Sequence, residues 1–224
     1  MEVQGCVAIV TGANRGIGEG FVHVLIAEGA ARVYAGARDP ASAKHLEDAY
    51  PGKVTAVRLD VSKPDQITAA AAACPDVSVV VNNAGVSTGQ LLIGADDMSA
   101  MREEMEVNYF GPVAMARAFA PALKANGGGA ILNVLSVAGI VAVPNMGGYS
   151  PSKFAMRAAD RSSAPISSWL LKAPALLITT DTSGQAPAAA VICSGFDTSS
   201  ATATTRPGNS SSRCPAEAGS RAPA

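Results

Sequence analysis

The sequence predicts an α/β fold, a doubly wound parallel sheet in three α/β/α layers. Two observations carry that expectation. From Val3 to Ala159, short apolar runs alternate with stretches whose apolar residues recur at helical spacing. The connections between the runs are long enough for a helix, which implies parallel pairing and right-handed crossovers. At 224 residues and 48% hydrophobic, the chain has enough apolar material for one such domain.

Val7-Ala8-Ile9-Val10 is the first strand, apolar on both faces as a strand covered by helices must be. It runs directly into Thr11-Gly12-Ala13-Asn14-Arg15-Gly16-Ile17-Gly18, and a helix with Phe21, Val22, Leu25 and Ile26 follows, ending at Gly29. Glycines in such a turn let the backbone approach a pyrophosphate, and the N–H groups and dipole of the next helix favour the anion. A glycine triplet alone is equally an ordinary βα turn, but the strand before it and the helix after it point to a nucleotide site. Arg32 to Ala35 gives the second strand, Val54 to Leu59 the third, Val77 to Val81 the fourth and Ala130 to Leu135 the fifth. Asp60 and Val61 close the third strand, where Asp60 also reads as a turn residue or N-cap before Pro64.

Charge and cysteine usage exclude several functions. Seventeen basic against eighteen acidic residues leave a net charge of -1, too little to hold a phosphate backbone, so nucleic acid is not an expected partner. Met1 to Cys6 lacks a basic leader, and no run reaches the roughly 18 apolar residues of a membrane span. A soluble, cytoplasmic protein is expected. Cys6, Cys74, Cys193 and Cys214 are far apart and form neither a metal motif nor a disulfide framework. His23 and His45 lie in or near predicted helices without evident partners and read as structural or surface residues.

Four further motifs narrow the reading. Asn82-Asn83-Ala84-Gly85 closes the fourth strand, and Asn108 lies in Val107-Asn108-Tyr109-Phe110-Gly111. Ser136 ends the fifth strand, and Tyr149-Ser150-Pro151-Ser152-Lys153 follows thirteen residues later. With the T-G-x-x-x-G-I-G turn, these motifs, in order and at these spacings, resemble the short-chain dehydrogenase/reductase family, classical type. The resemblance covers about Val3 to Ala159.

It implies a Rossmann fold and hydride transfer between a nicotinamide cofactor and a carbonyl or secondary alcohol. It also implies that Thr11, Gly12, Asn14, Arg15, Gly16, Ile17, Gly18, Asp60, Val61, Asn83, Ala84 and Gly85 contact the cofactor, together with Tyr149 and Lys153. Tyr149 becomes the acid/base, Lys153 the cation that favours its phenolate and holds the nicotinamide ribose, Ser136 the group orienting the substrate oxygen, and Asn108 the holder of a relay water. The chemistry is sound: a free phenol has a pKa of about 10, and a lysine four residues on in a helix sets an ammonium one turn away. A homodimer or homotetramer, paired through the fourth and fifth helices, is the implied assembly.

The end of the second strand carries no carboxylate for the adenosine ribose; it offers Arg38, and the glycine turn offers Arg15. Both suit a 2′-phosphate, so NADP(H) is favoured over NAD(H), while Asp39 reads as the start of a helix beside Pro40. Val137 to Gly148, with Ile140, Val141, Val143 and Met146, is apolar enough to line a site for a hydrophobic carbonyl or alcohol, or to be ordinary loop packing.

The pattern breaks after Ala159. Family members continue through a leucine-rich helix to a sixth strand, whereas Ala159-Asp160-Arg161-Ser162-Ser163-Ala164-Pro165 places a proline there, at about 3 kcal/mol in a helix interior. The helix is expected to end early. Only Ala175 to Thr179 and Ala188 to Ile192 look like strands beyond it, so residues 1–180 are read as the Rossmann domain and 181–224 as an atypical, partly disordered tail. A nucleotide-binding or scaffold protein without turnover is the alternative function this allows. One codon choice for Ala159 to Ala164, read one base later, spells Leu-Thr-Glu-Ala-Leu-Arg, a helix of the missing kind, and suggests a frameshift. Sequencing the coding DNA is expected to show a family-like continuation in that neighbouring frame; its absence would refute the frameshift.

Overall fold

A computed structural model of the chain describes residues 3–93 and 97–162. Five strands, β1 (Val7–Thr11), β2 (Arg32–Ala37), β3 (Val54–Arg58), β4 (Val79–Asn82) and β5 (Ala130–Asn133), form one parallel sheet in the order β3-β2-β1-β4-β5. Helices α1 (Gly16–Ala27), α2 (Lys44–Ala49), α3 (Pro64–Ala73), α4 (Ser99–Met105), α5 (Gly111–Ala125) and α6 (Tyr149–Ser162) connect or follow them. The doubly wound class expected from the sequence is the observed one. From β1 the chain winds outward through β2 and β3, then crosses back to β4 and β5, so a crevice opens where the order reverses, between β1 and β4.

Strand alternation sends neighbouring residues to opposite faces. Ala8 and Val10 pack with Val22 and Leu25 of α1 and Leu46 of α2, whereas Ile9 and Val80 pack with Ile67 of α3 and with Met115, Phe119 and Leu123 of α5. Each of the Val, Leu, Ile, Met and Phe side chains contributes about 1.5–3 kcal/mol when fully buried. Two cores back to back explain why the strands read as unbroken apolar runs.

Several boundaries differ from the sequence expectation. Val77 is buried, but its N–H turns back to Cys74 O in the bend after α3, and β4 begins at Val79. The fifth strand stops at Asn133, with a last ladder bond from Val134 N to Asn82 O. Ser136 therefore does not end the strand. It caps the short helical turn Val137–Gly139, its Oγ accepting from Ala138 N at 3.2 Å.

The two histidines have partners, which the sequence reading lacked: Glu19 reaches His23 along α1, and the packing of α1 beside α2 supplies the others. His23 Nδ1 lies 2.7 Å from the Tyr50 hydroxyl, and Glu19 Oε1 lies 3.6 Å from His23 Nε2 and 3.4 Å from His45 Nε2. Cys6 and Cys74 are buried free thiols. Among the described residues, no helix is long and apolar enough to cross a membrane, and no cluster of His, Cys, Asp or Glu could hold a metal ion. Pro165, the strand candidates Ala175 to Thr179 and Ala188 to Ile192, and the 181–224 tail lie outside the described residues.

Phe119 is fully buried in the core between α5 and the sheet. Phe119→Ala is expected to cost about 3–5 kcal/mol, checked as a lowered urea midpoint at unchanged slope.

Candidate active site

The glycine turn is shaped by close approach. Gly12 and Gly16 have positive φ, at 63° and 56°, and a Cβ on Gly18 would strike the Gly12 carbonyl. The first turn of α1 thereby lies hard against the end of β1. Arg15 stands at the N-cap in extended conformation and its side chain makes no capping bond, so the helix N-terminus faces the crevice without a side-chain acceptor. Across the crevice, Asn83 Nδ2 donates to Thr11 O at 2.9 Å and Gly12 O at 3.2 Å. Thr11 Oγ1 in turn accepts from the amides of Asn83 and Ala84, both at 2.9 Å.

The crevice widens into a cleft of about 870 Å³. Its walls include Gly12, Asn14, Arg15, Gly16, Ile17 and Gly18 from the turn, Arg38 and Asp39 after β2, Asp60 and Val61 after β3, and Asn83, Ala84 and Gly85 after β4. The sequence-predicted set is thus brought together, except that Thr11 is buried behind the turn and Tyr149 and Lys153 lie off these walls. Asp60 lines the cleft and is a turn residue, its Oδ1 accepting from Ser62 N at 3.0 Å and Ser62 Oγ at 2.7 Å, whereas the N-cap of α3 is Lys63. Asp39 caps the turn Pro40–Ala43 through Ala41 N, as its position beside Pro40 suggested. Arg15 and Arg38 are exposed and engage no ion pair among the described residues. Ser42, Lys63, Glu103 and Val107 also line the cleft and were not anticipated; nothing in their local sequence marks them.

Beyond Gly85 lies a second polar group. Asn108 occupies a π-helical turn, Glu106–Phe110, between α4 and α5, and is 1% exposed. Its Oδ1 accepts from Val86 N at 2.9 Å, and its Nδ2 donates to Val86 O at 2.8 Å and to Ser152 Oγ at 3.0 Å. A Cβ on Gly85 would come within 3.2 Å of Asn108 Oδ1 and 3.5 Å of Lys153 Nζ, so a glycine there lets both side chains reach the same backbone.

Tyr149 and Lys153 stand on the first turn and a half of α6, the ammonium 5.7 Å from the phenol ring centroid. Lys153 is 6% exposed and donates to Val134 O at 3.2 Å; burial pushes its pKa down to about 8. The Val137–Gly139 turn that Ser136 caps is docked on this helix. Gly139 is held against the Lys153 backbone, Arg157 donates to Gly139 O at 3.3 Å, and Val143 N donates to Ser150 Oγ at 3.3 Å. All four expected residues thus belong to one connected region, of which Ser152 is a member that the Y-x-x-x-K spacing alone did not single out.

The family model for short chain dehydrogenase matches residues 6–164, more than half of the chain. The chain belongs to that family. A short chain dehydrogenase from Burkholderia cenocepacia, solved in complex with NADP, is 44% identical with a TM-score of 0.68, over 76% of this chain and 70% of that one. A short chain dehydrogenase/reductase from Burkholderia phymatum, in complex with NAD, is 30% identical with a TM-score of 0.69, over 76% and 64%. Among curated proteins, a 3-alpha-(or 20-beta)-hydroxysteroid dehydrogenase of Mycobacterium tuberculosis is 36% identical over 170 residues, 71% of this chain and 62% of the relative. This short chain dehydrogenase spans about half the length of the first curated relatives it matches.

The buried ammonium gives a stability signature. Because the folded pKa of Lys153 lies below the roughly 10.4 of a free lysine, the unfolded chain binds more protons between those values, and stability rises with pH across that window. Lys153→Met is expected to be more stable than wild type below pH 8, the gap narrowing as pH climbs toward 10, checked by urea midpoints of both proteins at matched pH.

Proposed function

We propose that this short chain dehydrogenase is a cytoplasmic NADP(H)-dependent oxidoreductase that transfers a hydride between the nicotinamide cofactor and an apolar carbonyl or secondary alcohol. The observation that carries the reading is the meeting of Asn108 and Lys153 at Gly85, on the same segment that continues the nucleotide cleft. Buried, unpaired Cys6 and Cys74 fit a reducing compartment.

The cleft fits the cofactor. Glycines at 12, 16 and 18 and the N-terminus of α1 suit a pyrophosphate, and the guanidinia of Arg15 and Arg38, in no ion pair among the described residues and lining the same cleft as Ser42 and Lys63, suit a 2′-phosphate. Asp39, whose carboxylate would favour a ribose hydroxyl instead, already accepts from Ala41 N. When bound, the nicotinamide supplies or accepts the hydride.

The chain's own groups handle the proton. Tyr149 Oη donates to the substrate oxygen during reduction and takes the proton back during oxidation. Lys153, one helical turn on, favours the phenolate electrostatically and binds ribose hydroxyls. Ser136 orients the substrate oxygen. Asn108 holds Val86 and, through Ser152, the start of α6; both Nδ2 hydrogens are spent there, and Oδ1 keeps one lone pair for a relay water.

Substrate class follows from the loops that flank Tyr149. Leu91, Leu92, Ile93, Ile140 and Val141 are exposed, and Gly147 packs tightly on the Leu92 backbone, so apolar residues of two loops share one side of the site. An apolar ketone suits that lining, as the hydroxysteroid dehydrogenase relative suggests by its name. Exposed Phe110 and Phe154, at the start of α5 and on α6, support pairing of copies into a homodimer or homotetramer. A nucleotide-binding protein without turnover is the second reading, favoured by the departure from family pattern after Ala159.

NADPH fluorescence titration and turnover with a panel of ketones test the proposal. Tyr149→Phe is expected to lower kcat by about 10²–10⁴ while leaving NADPH affinity intact; equal rates in both proteins would remove the catalytic assignment. Arg38→Asp is expected to weaken NADPH about tenfold or more and NADH little, measured by the same titration.

A further inference from the structure

α4 and the π turn after it present two polar side chains, Glu104 and Asn108, to the segment that leaves β4. Asn108 grips both the N–H and the carbonyl of Val86. One repeat further on, Glu104 Oε1 accepts from Thr88 N at 2.7 Å and from Thr88 Oγ1 at 3.0 Å. Glu104 and Asn108 are four residues apart and Thr88 and Val86 two apart, so successive grips hold one segment. Glu104 is 1% exposed.

Its other oxygen, Oε2, is buried without a hydrogen-bond partner among the described residues and fills the space that a Cβ on Gly148 would need. Gly148 immediately precedes Tyr149 and also lies against the Met101 backbone of α4. A leucine at 104 would occupy the same volume without an orphaned oxygen. The carboxyl instead joins two walls of the site: the Thr88 segment, which leads into Leu91, Leu92 and Ile93, and the start of the helix that carries Tyr149 and Lys153.

We propose that Glu104 is a positioning residue for the hydride-transfer site, its buried carboxyl fixing the Thr88 segment and the Gly148–Tyr149 start of α6 to one helix. This rests on the hydride-transfer reading for its effect on rate, and on the geometry alone for its effect on local order.

The test combines amide hydrogen exchange with steady-state kinetics, using NADPH and an apolar ketone, on wild type, Glu104→Ala, Glu104→Gln and Thr88→Val. Glu104→Ala is expected to speed exchange in residues 86–90 and 147–153 while β1 to β3 stay protected, and to lower kcat about tenfold with NADPH affinity within about twofold. Glu104→Gln, which keeps the acceptor for Thr88, is expected to restore wild-type exchange and a rate within about threefold. Thr88→Val should loosen 86–90 alone. Unchanged exchange at 147–153 in Glu104→Ala, a loss of protection spread over the whole sheet, or a Gln variant as impaired as the Ala variant would each overturn the proposal. Should Glu104→Ala fail to fold, unchanged exchange in Thr88→Val overturns it. A wild type that binds NADPH yet reduces no ketone counts against the hydride-transfer reading, and the exchange pattern still decides the role of Glu104.

Discussion

The site depends on the bonds between Thr11 and Asn83. They join the C-terminal ends of β1 and β4, the two strands between which the winding direction reverses. At that level the strand ladder stops, and the chain leaves upward on both sides as irregular backbone that must satisfy its own polar groups. One threonine hydroxyl accepts two amides and one asparagine amide meets two carbonyls, so four backbone groups of the two departing segments are paired across the crevice. The glycine turn and the Asn83–Gly85 segment therefore begin from fixed positions. Everything placed further along them, from the guanidinium of Arg15 to the Gly85 contact of Lys153, inherits that precision.

Small residues carry the next layer of organisation. At Gly18, Gly139 and Gly148 a methyl group would collide with backbone or a buried carboxyl, and each position is where two elements meet at their closest. Gly18 sets α1 on the end of β1, Gly139 sets the Ser136 turn on α6, and Gly148 sets α6 on α4. Three helices are thus seated on their neighbours by missing side chains rather than by added contacts.

The fold was legible because its signal is periodic and local: runs such as Val7 to Val10 and the helical spacing of Phe21, Val22, Leu25 and Ile26 need no knowledge of distant partners. Part of the cleft was legible for a related reason, since Gly12, Arg38 and Asn83 follow directly from strand ends, whereas Ser42, Lys63, Glu103 and Val107 reach it from elsewhere in the fold. Ser136 was placed at the end of a strand because the apolar run continues to Leu135; the hydrogen-bond ladder stops earlier, and an apolar run reports burial rather than pairing. Glu19 is four residues before His23 on α1, a pair that local spacing allowed, whereas Tyr50 beside His23 and Glu19 beside His45 are brought there by the packing of α1 and α2. Glu104 was missed for the same cause, being one acid among Glu103, Glu104 and Glu106 until burial separates it from the others.

The burial of Lys153 has a wider consequence for a ligand that reaches its ammonium. Among the described residues its ammonium has a single acceptor, the Val134 carbonyl, in place of the water it has lost. A ligand that brings hydroxyl oxygens to this nitrogen replaces that lost hydration and stabilises the protonated form. Proton and ligand are then linked, each raising the affinity for the other by the same factor. Under the proposed function, occupancy by such a ligand would draw protons from buffer near pH 8 and tie its affinity to solvent acidity.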